Sequence, residues 1–188
     1  MERLLDAVRR LLDPVPEAAG ALADWPQGAA RRAVKPGMLP VCDGIGSMTG
    51  TPATEPVLRE VQRLAAGLAW RQTYGVAEFG AAFLRGYGWS EFIGLRGPVP
   101  SDRIAVGVLL LGPGVTYPPH AHAAAEVYVP LSGVAQWQRG TAAFALGPVG
   151  QAIHHPPWMA HAMRTGAEPL AAIYLWWGGD LAAKSVVL

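Results

Sequence analysis

The chain holds five histidines, and all of them fall between His120 and His161. Two of these, His120 and His122, share the stretch Gly114–Gly133 (GVTYPPHAHAAAEVYVPLSG) with Glu126, Tyr117 and Tyr128. Imidazole and carboxylate are ligand types that Zn, Fe, Mn, Ni and Co prefer, and a mononuclear centre takes at least three. His120, His122, Glu126 and Tyr128 all have even numbers, while Val127 and Val129 alternate with them. Side chains two apart share one face of a strand, so a gently broken strand would aim all four the same way. A further ligand has to come from outside the stretch, from among His154, His155 and His161. His154 and His155 neighbour prolines and read as structural positions.

Those residues need a scaffold. After Gly86, Gly and Pro punctuate runs of β-branched and aromatic residues at 89–95, 103–111, 126–131, 135–139, 142–146, 152–155, 161–164 and 170–177. Short strands at such spacing predict an all-β sandwich or barrel, and no helix-length pattern interrupts them to build a parallel sheet. Residues 184–188 read as a terminal strand. Before Gly86 the pattern is helical. Leu4, Leu5, Val8, Leu11 and Leu12 predict a helix over 2–12 that Pro14 and Pro16 stop. Thr54 is placed to cap a second helix, striped by Val57, Leu58, Val61, Leu64, Ala65 and Leu68. A third over 75–85 should turn Phe79, Ala82 and Phe83 inward. Residues 13–53 are rich in Pro, Gly and Ala, with a helical turn near Glu17–Ala23. Gly44-Ile45-Gly46-Ser47 lacks the lysine and the preceding strand of a phosphate-binding loop and reads as a turn. The expected division is a helical, loop-rich extension over 1–86 and a β-barrel carrying the metal site over 87–188.

Composition narrows the function classes. Apolar residues make up 51 % and charged residues 15 %, with 23 Gly and 17 Pro, which suits a compact chain with many tight turns and not a disordered one. Net charge is +1 and no basic run exceeds Arg31-Arg32, so nothing draws the chain to nucleic acid. Cys42 is the single cysteine, which excludes an internal disulfide and reads as a small buried apolar residue. The N-terminus carries charges through its apolar positions, unlike a signal peptide, and the apolar run 104–115 is too short to span a bilayer. A cytoplasmic protein without a membrane partner is expected.

Spacing then carries a resemblance. Gly114, five residues, His120-Ala121-His122, three residues, Glu126, six residues, Gly133 is complete for the first motif of the cupin superfamily. Gly150, five residues, Pro156-Pro157-Trp158, two residues, His161, three residues, Thr165 keeps the spacing of the second, with Trp158 in place of glycine and Thr165 in place of asparagine. The strings YPPHAHAAAEVYVPLSG, HHPPWMAHAMRT, EPLAAIYLWWG and GYGWSEFIGLRGP further resemble bacterial cupin-type dimethylsulfoniopropionate (DMSP) lyases, the DddQ and DddL group. The likeness covers roughly the last hundred residues. Two departures stand out: Ala125 precedes Glu126 where the family tends to have an acidic pair, and Trp177 stands where it has an arginine.

The resemblance implies a single cupin barrel, a double-stranded β-helix or jelly roll, with an N-terminal helical extension. It implies one divalent transition metal per chain (Fe, Zn, Mn, Ni or Co) held by His120, His122, Glu126 and His161. The implied reaction is β-elimination of DMSP to dimethyl sulfide and acrylate. In it Tyr128, two residues after the ligand glutamate, takes the α-proton; Tyr117 is the second candidate, as base or as a hydroxyl that orients substrate. Trp89, Tyr174 and Trp176 are candidates for holding the substrate, because aromatic faces attract a cation such as a sulfonium. A carboxylate near the sulfonium would serve as well. The partner is a small carboxylate-bearing molecule, and family habit implies a homodimer. Two other readings use the same barrel: another metal-dependent cupin enzyme (an isomerase or dioxygenase), or a non-catalytic cupin that binds a small carboxylate. The tyrosine pair favours the lyase, since a dioxygenase needs open metal positions more than a phenol base.

Overall fold

The computed structural model describes residues 1–28 and 30–188. The N-terminal part contains helices α1 (Glu2–Leu12), α2 (Ala19–Leu22), α3 (Glu55–Leu64) and α4 (Val76–Arg85). Strands follow: β1 (Tyr87–Gly94), β2 (Val99–Pro100), β3 (Ile104–Leu111), β4 (Thr116–Ala121), β5 (Ala125–Ser132), β6 (Ala135–Arg139), β7 (Ala145–Gly147), β8 (Ile153–His155), β9 (His161–Thr165), β10 (Leu170–Trp177) and β11 (Val186–Val187). They form two sheets, in the orders β2-β1-β3-β10-β5-β8 and β11-β4-β9-β6-β7. This is a cupin-type jelly-roll barrel with helices at the N-terminal end.

Strands β3 and β5 are buried along their whole length, and β10 up to Leu175, because both of their faces are covered. On β5, Val127, Val129 and Leu131 join Val8, Leu12, Leu58 and Val61 of α1 and α3 in one core beneath the helices. Tyr128 points the other way, into a second core between the sheets, with Tyr117, Trp137 and Met163. Thr54 precedes α3, but its hydroxyl does not cap it. The Thr54 hydroxyl instead donates to the Leu131 carbonyl (2.8 Å), tying the start of α3 to β5.

Two further expectations need correction. Helix α4 is broken at Gly80, whose φ of 74° lies outside the helical region, so its faces do not follow one stripe. Phe79 and Phe83 pack on Tyr74 and Tyr117, whereas Ala82 is exposed. The ligand stretch is also not one strand face. Its halves are β4 in the smaller sheet and β5 in the larger, and residues 122–124 cross between them. The side chains meet because two sheets face each other.

Candidate metal centre and active site

Glu126 is fully buried on β5, directly opposite His155 on β8 and Trp176 on β10. From the facing sheet come His120 on β4 and His161 on β9, which are register partners, while His122 follows β4 at the crossing. One ligand atom each from His122, Glu126 and His161 lie within 4.8 Å of one another. His122 Nε2 is 3.1 Å and His161 Nε2 3.3 Å from Glu126 Oε2. His120 stands beside this trio: its ring centroid is 4.1 Å from that of His161, and it stacks on Tyr117 at 3.9 Å.

The imidazoles are oriented by the backbone. Nδ1 of His120, His122 and His161 lies 2.9 Å from the carbonyls of Pro118, Ala124 and Met159, respectively. Donation to those carbonyls puts a proton on Nδ1 and leaves Nε2 as the ring atom that can serve as metal ligand. His161 Nε2 is buried with no hydrogen-bond partner among the described residues. Orphaned lone pairs around a buried carboxylate fit a divalent transition metal, so this donor set passes the test for a metal centre.

The electrostatics agree. Burial works against the Glu126 carboxylate, yet the flanking His122 and His161 hold it well below the usual range. Burial disfavours protonation of His122, and Glu126 overrides it to raise that imidazole's pKa. His120 is pushed down to about 3 by burial and by His161, so it stays neutral. Among the protein's own groups, burial and then the Glu126 charge raise the Tyr128 phenol well above its ordinary value.

A cavity of about 350 Å³ opens on this cluster, at the small end of ligand pockets. His120, Glu126, Tyr117, Tyr128, Trp89, Tyr174 and Trp176 all line it. The Trp176 indole donates to Glu126 Oε1 (2.5 Å) and its ring stacks on His122 at 4.0 Å, so it touches the metal ligands as well as the cavity. The Trp89 indole donates to Thr73 Oγ1 (3.0 Å). Tyr117 shares a 2.9 Å hydroxyl contact with Tyr74.

Sequence reasoning missed several contributors. His155 reads as structural by its prolines, but it is fully buried. Its Nδ1 is 4.0 Å from Glu126 Oε2, neither ring nitrogen has a hydrogen-bond partner among the described residues, and its ring stacks on His161 at 4.1 Å. Only the β5–β8 register brings it there. Tyr74 and Glu91 also reach the site region without any spacing signal. Residues 181–185 line one side of the cavity, and Arg96 holds them by donating to the carbonyls of Leu181 (3.3 Å) and Ala182 (2.9 Å). His154 lies outside the cluster, its ring 5.8 Å from that of Trp177.

The motif departures have local explanations. Trp158, in the place of a glycine, has a φ of 61° and donates its backbone N–H to the His122 carbonyl (2.8 Å). The Thr165 hydroxyl donates to the Gly112 carbonyl (2.6 Å) and accepts from Val115 N (2.9 Å), tying β9 to the β3–β4 turn. Gly133 has a φ of 85°, and a Cβ there would collide with the Pro169 carbonyl. Ala125 and Trp177 are direct cross-strand partners on β5 and β10.

Comparison with known proteins follows from this geometry. The DMSP lyase family profile matches residues 20–172. The DMSP lyase DddQ of Ruegeria pomeroyi is 38 % identical over 127 residues, spanning 66 % of this chain and 62 % of that protein. A putative DMSP lyase DddL of Cereibacter sphaeroides is 32 % identical over 130 residues, spanning 68 % of this chain and 53 % of that one. The matched region thus spans less than two thirds of either curated relative's length. The crystal structure of DddQ from R. pomeroyi superposes with a TM-score of 0.89 at 30 % identity, covering 99 % of this chain and 94 % of that one.

Proposed function

The chain belongs to the DMSP lyase family, and from that premise we propose that it cleaves DMSP by β-elimination to dimethyl sulfide and acrylate. The observation that carries this reading is the pairing of a buried His/Glu cluster with a buried phenol, Tyr128, in one small aromatic cavity. His122, Glu126 and His161 would hold one divalent transition metal (Fe, Zn, Mn, Ni or Co), with His120, the register partner of His161, as the fourth ligand. When bound, the metal supplies Lewis-acid stabilisation of charge developing on the substrate carboxylate and favours the phenolate of Tyr128.

The chain's own groups do the rest. Tyr128 takes the α-proton at its phenolate oxygen. The electron pair of that C–H bond becomes the new C=C bond, and the C–S pair leaves on sulfur as neutral dimethyl sulfide. The proton then passes from Tyr128 to water. Tyr117, fixed by Tyr74 and by stacking on His120, orients the substrate. Trp89, Tyr174 and Trp176 offer their faces to the sulfonium.

No helix among the described residues is long and apolar enough to cross a membrane. We place the protein in the cytoplasm as a homodimer acting on this small carboxylate, an assembly that sedimentation would test. The functional test is headspace gas chromatography of purified protein given DMSP, with elemental analysis of bound metal. Dimethyl sulfide and about one metal per chain are expected. Absence of dimethyl sulfide across Fe, Mn, Ni, Co and Zn loadings would shift the assignment to another metal-dependent cupin reaction.

A further inference from the structure

Two carboxylates stand out among the buried polar residues. Glu126 is surrounded by imidazoles. Glu91, on β1, is 6 % exposed and has no cationic side chain within 4.0 Å among the described residues. Its Oε1 accepts the backbone N–H groups of Arg96 and Gly97, the latter at 2.8 Å, and so closes the turn after β1. Oε2 has no hydrogen-bond donor among the described residues, and Glu91 lines the same cavity as the metal cluster. The turn N–H groups and the charges of Arg96 and Arg32 offset the burial of this carboxylate only in part, so a cation entering the cavity would meet an incompletely compensated charge.

The sheet aims Glu91 at the reaction centre. Glu91 lies opposite Gly107 on β3, Gly107 opposite Tyr174 on β10, and Tyr174 opposite Tyr128 on β5. Directly opposed residues put their side chains on one face, so Glu91, Tyr174 and Tyr128 form a single row facing the barrel interior. The missing side chain at Gly107 makes room: a Cβ there would meet the Tyr174 hydroxyl at 2.5 Å. Three strand spacings separate the ends of the row, roughly 14 Å between backbones. The metal ligands and Tyr128 are at one end, the free carboxylate oxygen is at the other, and Trp89, Tyr174 and Trp176 stand along the wall.

We propose that Glu91 is the counter-charge for the cationic end of a zwitterionic substrate, and so fixes which way round it binds. This rests on the reading of the cavity as a site for a sulfonium carboxylate. The substrate carboxylate faces the His/Glu cluster and the sulfonium faces Glu91, which leaves the α-carbon next to Tyr128. The leaving group then departs away from the ligand cluster. Burial raises the Glu91 pKa, while the two turn N–H groups and the charges of Arg96 and Arg32 draw it back.

The test separates charge from turn closure. In Glu91→Gln the amide oxygen still accepts from Arg96 and Gly97, but the charge is gone. Two probes are titrated against metal-loaded protein by quenching of tryptophan fluorescence: 3-(trimethylammonio)propanoate, a fixed cation, and 4-methylpentanoate, the uncharged carbon isostere of DMSP. The wild type should prefer the cation by more than about tenfold. Glu91→Gln should cut that preference about tenfold and leave 4-methylpentanoate affinity within about twofold. A preference unchanged in Glu91→Gln, equal loss of both probes, or no preference in the wild type would overturn the proposal. If Glu91→Gln does not fold, a wild type without the preference still overturns the proposal, and Glu91→Asp, which keeps the charge but draws it back, should weaken the preference. A preference that depends on Glu91 in a protein releasing no dimethyl sulfide would refute the lyase reading and leave the cation site standing.

Discussion

Three imidazoles in this site are set by one device, donation from Nδ1 to a carbonyl two residues away in sequence. The carboxylate has its own support, the Trp176 indole on Glu126 Oε1. Trp176→Phe keeps a ring to stack on His122 but loses that donor. Metal affinity should fall about 10–100-fold, as is usual when such a supporting bond is removed, and competition with a chelator would measure it. Tyr128→Phe should lose nearly all turnover with little change in KM, because the ring still packs against Trp137 while the proton acceptor is gone. A Phe variant that retained turnover would move the base role to Tyr117.

At the scale of elements, the centre is assembled by two facing sheets and the turns that bring their ends together. The turn before β9 is held with Trp158 in the left-handed region, where an L-residue other than glycine costs roughly 1–2 kcal/mol. Trp158 is 62 % exposed, so its ring contributes little burial in return. Trp158→Gly should therefore stabilise the protein by about 1 kcal/mol at most, after the extra freedom of glycine in the unfolded chain is subtracted. A rise in Tm with metal content unchanged is the expected result. The pairing of Ala125 with Trp177 gives the two family departures one physical reading. Ala125 and Trp177 form an apolar pair across β5 and β10, on the side of the sheet away from the cavity.

At the scale of the whole molecule, burial of neutral histidines ties stability to pH. His120 and His155 are held down to about 3 and about 2, in each case by burial and then by His161. In the unfolded chain an imidazole takes its proton near pH 6.5. Below that pH the unfolded chain binds more protons at these two positions, so stability falls on acidification, by up to about 1.4 kcal/mol per pH unit per group. His122 has the opposite sign: its pKa is raised, so its contribution is present below 6.5 and lost as pH rises through its folded value. Glu126, held low, adds its loss only as pH drops below about 4.5. Between pH 6.5 and pH 4.5 the His122 contribution is constant while those of His120 and His155 are lost, so the Tm of the metal-free protein should decline, which calorimetry across that range would show. The helical layer belongs to this scale too. We propose that residues 1–86 are an extension that does not separate from the barrel at 87–188, because α1 and α3 share a core with β3, β5 and β10.

The ligand-rich stretch, the second motif around His161, the helices and most strands were legible in the sequence, because each is written in local spacing: a period of two or 3.6, a glycine where the chain turns, a proline where a helix stops. What local spacing could not carry was which strands pair. Even numbering pointed to one strand face for His120 through Tyr128, and the fold instead divides those residues between two sheets. The same limit hid His155, which meets Glu126 only through the β5–β8 register, and Glu91, which shares a row with Tyr128 only across two intervening strands. The sequence determined the chemical groups and the metal-ligand motif. The tertiary structure decided what stands around them, because register between strands far apart in the chain is set by packing on both faces of a sheet and leaves no mark in any single segment.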